Sequence, residues 1–213
     1  MPKTEPFDKH LDLYEEWFVV NRYVYESELK AIRHLLPQQG EGLEIGVGSG
    51  LFAQPLGIKT GIDPSFVMIT KARERGINMK EGVAENIPFP DNSFDYALMV
   101  TTICFVDNVD RSLKEVVRIL KDNGVFILAF VDKNSPVGKE YLRMKEKSLF
   151  YKEATFFSTQ EMMTALKKAG LQPEDTVQTI FGSLDQVKTV QDFVPGYGEG
   201  SFVVIRSKKN INE

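Results

Sequence analysis

The 213-residue chain is poor in cysteine, histidine and tryptophan: it has one Cys, two His and one Trp. A lone cysteine, Cys104, closes no internal disulfide, so the fold must rest on its apolar core, and a reducing compartment suits it. No His/Cys/carboxylate cluster has metal-ligand spacing, so no metal is expected. Long apolar runs are missing too. Nothing approaches the roughly 20 residues that span a bilayer, and residues 1–9 are polar with no signal-peptide core, so a cytoplasmic protein with no membrane span is expected. The chain also lacks a positive excess, with 26 Lys and Arg against 30 Asp and Glu and a net charge of -4. Nucleic acid is therefore a weaker candidate partner than a small molecule. The basic stretches 139–152 and 206–209 read as solvated faces.

What is present is ordinary globular material, 42% hydrophobic and 26% charged, with no repeat and no low-complexity linker. The length fits one large α/β domain. Residues 8–36 carry Leu11, Tyr14, Phe18, Val24, Leu29, Ile32 and Leu36 at helical spacing, which predicts one or two amphipathic helices ending at Pro37. Short apolar runs at 43–47, 94–101 and 125–131 read as buried strands, with a strand end at 61–63 and a weaker third strand at 78–80. Helices are predicted between or beside them at 64–75, 111–120, 136–150 and 158–169, with Asp122-Asn123-Gly124 stopping the second and Gly170 the last. Two late strands, 177–181 and 201–206, flank the glycine-rich segment 182–200. Alternating strands and helices imply a parallel sheet with right-handed crossovers and helices on both faces. The last two strands lack an intervening helix, so they are expected to be antiparallel neighbours.

The chemistry centres on Glu44-Ile45-Gly46-Val47-Gly48-Ser49-Gly50, at the C-terminal edge of the first strand. Glycines there allow backbone angles that a Cβ forbids and let a ligand approach the main chain. Asp63 follows Gly46 by 17 residues and ends the next strand, where a carboxylate accepts hydrogen bonds from ribose hydroxyls. A glycine loop alone is weak, since turns and close helix packing also select glycine. A strand before it and an acidic strand end after it make a nucleoside pocket the better reading. Asp63 before Pro64 also suits a helix cap.

The run LEIGVGSGLF at 43–52 resembles motif I of the class I S-adenosylmethionine-dependent methyltransferases, and GIDPS at 61–65 resembles their acidic second motif. EGVAENIPFPDNSFD at 81–95, LKEVVRILKDNG at 113–124 and GSFVVIR at 200–206 resemble later family segments in the family's order. The similarity is strongest to the small-molecule branch related to quinone-biosynthesis methyltransferases. It implies a Rossmann-like three-layer α/β sandwich, with a mostly parallel seven-stranded sheet and an antiparallel final strand. It implies one methyltransferase domain over 1–213, with a helical lid at 1–36 and a core at 41–206. The implied cofactor is S-adenosylmethionine. Glu44 would orient its methionine end, Gly46, Gly48 and Gly50 would make room for it, and Asp63 would bind its ribose. Pro64 and Ser65 would shape the adenine side, Val83, Ala84 and Glu85 would meet the adenine edge, and Thr101 would lie near the methyl. The sequence departs from the family at Val83, where an acidic residue is common, and at Glu44, where Asp is more usual.

Methyl transfer from a sulfonium is a displacement at an already activated carbon, so alignment supplies much of the acceleration. No catalytic residue is assigned: His10 and His34 read as solvated histidines and Cys104 as a core thiol. Tyr14, Trp17 and Phe18, with Tyr23 and Tyr25, read as core or as a lid over an apolar acceptor. Phe150, Tyr151, Phe156 and Phe157 pose the same choice. Two rivals stay open: a non-catalytic S-adenosylmethionine-binding protein of the same fold, and an NAD-dependent oxidoreductase. The methylated atom and the oligomeric state are left open.

Overall fold

The structure, a computed structural model, describes residues 3–210; residues 1–2 and 211–213 of the expected span lie outside it. Its centre is an eight-stranded sheet in the order β3-β2-β1-β4-β5-β8-β6-β7. The first five strands are β1 (Gly42–Ile45), β2 (Thr60–Asp63), β3 (Asn78–Glu81), β4 (Phe94–Val100) and β5 (Leu120–Val131), and they run parallel. The final strand β8 (Phe202–Lys209) inserts antiparallel between β5 and β6 (Leu171–Thr179). The late strands are thus antiparallel neighbours, as expected from the missing helix between them. The eighth strand, β7 (Val194–Pro195), is a two-residue edge piece inside the glycine-rich segment, too short to leave an alternating pattern.

Side chains alternate across this sheet with the period of two that a pleated strand imposes. Tyr96, Leu98 and Val100 of β4, with Ile127 and Ala129 of β5, join one core with α3 (Arg22–Leu35) and α5 (Phe66–Glu74). Ala97 and Met99, with Phe126 and Leu128, join the opposite core with α6 (Val109–Ile119) and α8 (Thr159–Lys168). The central strand β4 and residues 125–130 of β5 are buried on both sides, which is why they read as apolar runs.

Helix starts follow their caps. Asn108 accepts the Arg111 N–H and starts α6, Ser65 accepts from Met68 and starts α5, and Ser158 forms a capping box with Glu161. Several boundaries differ from the sequence reading; β6, for one, begins at Leu171 and not at 177. Residues 5–35 form three helices, α1 (Glu5–Lys9), α2 (Leu11–Val20) and α3, broken at His10 and Asn21. Asp122-Asn123-Gly124 does not terminate α6, which ends at Ile119; the triplet lies within β5, where Asn123 has φ 62° and the β4 register shifts. The helix expected to reach residue 150 is α7 (Pro136–Met144), followed by a 3-10 turn at Lys145–Lys147, so Phe150 and Tyr151 hang in the loop beyond. The short helix α4 (Ala53–Leu56) follows the glycine loop.

Candidate active site

A cavity of about 470 Å³ opens at the C-terminal ends of β1, β2 and β4. Ligands of parallel α/β sheets bind at this edge. One end is built from the glycine loop. Gly46 and Gly48 have φ of 72° and 56°, the left-handed region, and both line the cavity. A Cβ on Gly46 would collide with Thr102, and one on Gly48 would sit 3.1 Å from the Tyr14 hydroxyl. Gly50 does not line the cavity: a Cβ there would meet Ile77 at 2.6 Å, so this glycine serves the packing of the loop against the α5 side.

Asp63 faces the same end and is 7% exposed. Its Oδ2 accepts the Gly48 N–H and its Oδ1 the Ser65 N–H, both at 2.8 Å. The two bonds fix the carboxylate's direction and leave each oxygen a free lone pair. Burial raises its pKa to about 6, against the pull of those two N–H groups. Glu44 lies one layer behind the wall, 1% exposed, and its Oε2 has no hydrogen-bond partner. Burial first, and Asp63 second, hold its carboxyl well above the ordinary range.

The remaining residues expected on the cofactor side all line the cavity: Pro64, Ser65, Val83, Ala84, Glu85 and Thr101. Ser65 is doubly committed, because its hydroxyl caps α5 and also donates to Asp8, which latches α1 onto this loop. Glu85 Oε1 accepts the N–H groups of Asp107 and Asn108 at 2.7 and 3.1 Å, so its charge sits at the start of α6. Thr101 has φ 47°, strained for a β-branched residue, and its N–H is held by the Ala129 carbonyl at 2.8 Å.

The other end of the cavity is aromatic. Tyr14, Trp17 and Phe18 of α2 line it, with Phe7 of α1 and Phe150 and Tyr151 beyond α7. Phe7 and Tyr14 meet edge to face at 5.8 Å, Tyr14 and Phe18 at 5.2 Å, and Phe7 lies 5.3 Å from Phe150. Phe156 and Phe157 line a neighbouring cavity of about 20 Å³. Tyr25 donates to the Leu51 carbonyl, and Tyr23 is exposed.

Residues 1–36 are not of one kind. None of the residues of α1 and α2 is fully buried, whereas α3 buries Val24, Leu29, Ala31, Ile32 and Leu35 in the core. His34 stacks on Phe193 at 4.3 Å, outside the cavity wall. Cys104 is buried, burial pushes its thiol up to about 12, and its Sγ donates to the Thr101 carbonyl at 3.0 Å. Such a thiol is inert. Among the described residues no group of His, Cys, Asp and Glu is placed to hold a metal ion, and no helix is long and apolar enough to cross a membrane. The sequence reading missed Glu28, Thr102, Asn108, Arg111 and Tyr141, all on the cavity wall.

Comparison with known proteins identifies the family and the fold. A methyltransferase-domain family model matches residues 43–128. An uncharacterised protein of Methanocaldococcus jannaschii is 41% identical over 203 residues, 95% of this chain and 98% of that one. A ubiquinone/menaquinone biosynthesis C-methyltransferase of Rickettsia bellii is 34% identical over 134 residues, 54% of this chain and 50% of the relative. The crystal structure of an S-adenosylmethionine-dependent methyltransferase of Thermotoga maritima is 50% identical, covers 97% of this chain and 99% of that chain, and superposes with a TM-score of 0.94. Half its residues shared with a solved methyltransferase along nearly the whole of both chains, on one fold, place this protein in the class I S-adenosylmethionine-dependent methyltransferase family.

Proposed function

We propose that this enzyme methylates a small molecule enclosed at the aromatic end of the cavity, with S-adenosylmethionine held at the glycine-loop end. The observation that carries the reading is the continuity of one cavity from Gly46, Gly48 and Asp63 to Tyr14, Trp17 and Phe18. The residues present fit the cofactor. Gly46 and Gly48 bring bare main chain to the cavity wall, Asp63 keeps free lone pairs in a fixed direction, and Glu44 carries a buried oxygen without a partner.

When bound, S-adenosylmethionine supplies an electrophilic methyl on a sulfonium. Asp63 would accept the ribose hydroxyls, and Glu44, one layer behind the wall, would face the methionine ammonium, the positive charge that its buried carboxyl lacks. Pro64 and Ser65 border the adenine, while Val83, Ala84 and Glu85 form its edge; with no carboxylate at Val83, main chain must serve the amino group. Thr101 shapes the floor under the methyl. The aromatic walls exclude water and align the acceptor, which supplies most of the acceleration.

The whole chain acts as one domain in this reading, and α1 with α2 serves as the lid; α3, having joined the core, does not. A cytoplasmic location suits the single cysteine. The Thermotoga maritima relative is described as a possible histamine N-methyltransferase, which puts amines first among acceptors to try. The test is release of S-adenosylhomocysteine from S-adenosylmethionine across panels of amines, phenols, thiols and quinols, for the full chain and for one lacking residues 3–20. Turnover with a small acceptor, lost in the shortened chain while cofactor still binds, supports the reading; equal turnover without residues 3–20 contradicts the lid.

A further inference from the structure

Glu28 lies on α3 among apolar neighbours, lines the active-site cavity and is 6% exposed. Its carboxylate makes no hydrogen bond or ion pair with any described residue. The ionisable groups near it are phenols: Tyr25 on α3, Tyr141 on α7 and Tyr151 in the loop beyond. The cavity's basic residues, Lys3 and Arg111, belong with the α6 end, where Lys3 lies 3.8 Å from Asp107, and neither offsets the charge of Glu28. A buried carboxylate with no cation is costly and needs a positive charge from elsewhere. Burial accordingly raises its pKa to about 8.

We propose that Glu28 is the acceptor-recognising carboxylate and that the methyl acceptor is an amine carried on an apolar or aromatic body. The proposal rests on the cavity being the methyl-transfer site. The acceptor's ammonium is the missing cation, and Trp17, Phe18, Tyr141 and Tyr151 enclose its body. Glu28 then takes a proton from the ammonium: an N–H bond breaks, an O–H bond forms, and the electron pair stays on nitrogen. That pair forms the new N–C bond as the methyl's bond to sulfur breaks with its electrons kept by sulfur. The product leaves as a methylated ammonium, and the proton on Glu28 returns to water. Anionic acceptors are disfavoured, because a second negative charge beside Glu28 in an apolar cavity has no cation to offset it.

The experiment is calorimetric titration of the S-adenosylhomocysteine-saturated protein at pH 7.5, in two buffers of different protonation enthalpy, with histamine, phenethylamine and the neutral phenethyl alcohol. An amine should bind at least 10-fold tighter than the alcohol and release protons on binding. Glu28→Gln should weaken that amine at least 10-fold while S-adenosylhomocysteine binds as before, with thermal melting confirming the fold. Equal binding of alcohol and amine, an unaffected Glu28→Gln variant, or no amine binding would overturn the proposal and leave the cofactor reading standing. Failure of the wild type to bind S-adenosylhomocysteine would overturn both.

Discussion

Replacing Glu28 by Gln removes a titrating group and keeps the side chain's size, so its effect on stability should depend on pH in a calculable way. The carboxyl sits at about 8 in the folded protein against 4.5 for an ordinary one, because burial penalises its charged form. Below pH 4.5 the group is protonated in both the folded and unfolded states and the pKa difference has no effect. As pH rises from 4.5 to 8 the unfolded chain ionises while the folded one cannot, so the wild type loses stability relative to Glu28→Gln. At about 1.4 kcal/mol per decade the loss reaches roughly 3–5 kcal/mol above pH 8, the lower figure applying if water reaches the carboxylate through the cavity. Urea unfolding of both proteins without ligand, at pH 4.5, 6, 7 and 8.5, measures the difference directly. A difference that stays flat, or that shrinks as pH rises, would refute the claim that Glu28 is buried without a counter-charge.

Thr101→Asn should stabilise the protein by about 1 kcal/mol, since asparagine tolerates the positive φ that a β-branched residue resists; chemical denaturation reads it, and no gain would show that the strain is absent. Val83→Asp should tighten S-adenosylhomocysteine by roughly 5–30-fold, the worth of about 1–2 kcal/mol for a charge-assisted hydrogen bond to the adenine amino group; calorimetry with S-inosylhomocysteine, which lacks that amino group, should show no such gain. Asp63 must be ionised to accept two hydroxyls without donating, so affinity for S-adenosylhomocysteine should fall as pH drops through about 6. Binding that is unchanged between pH 7.5 and 5 would contradict that role.

The strands and their directions were legible wherever one physical signal acted alone. Runs buried on both faces marked β4 and β5, and the missing helix before β8 foretold its antiparallel place. Boundaries failed where two signals overlapped. Asp122-Asn123-Gly124 carries helix-stop chemistry, yet the same left-handed Asn123 serves a bulge inside β5. At the site, the glycine loop and Asp63 announced themselves because backbone conformation and strand ends dictate residue type. Glu28 did not, since a lone acid among apolar residues reads as part of a solvated helix face. Its spacing of four from Val24, on the stripe that continues to Ile32 and Leu35, was the signal available. Glu85 shows the converse: its place in the motif was readable, but its hydrogen bonds to the start of α6 depend on how distant segments meet.

The central claim is that Asp63 and the glycine loop hold S-adenosylmethionine, and calorimetric titration of wild type and Asp63→Ala with S-adenosylhomocysteine tests it most directly. Two hydrogen bonds from ribose hydroxyls to a fixed, buried carboxylate are worth about 2–4 kcal/mol, so the variant should bind at least 30-fold more weakly. Equal affinity in the two proteins, with both folded, would contradict the account.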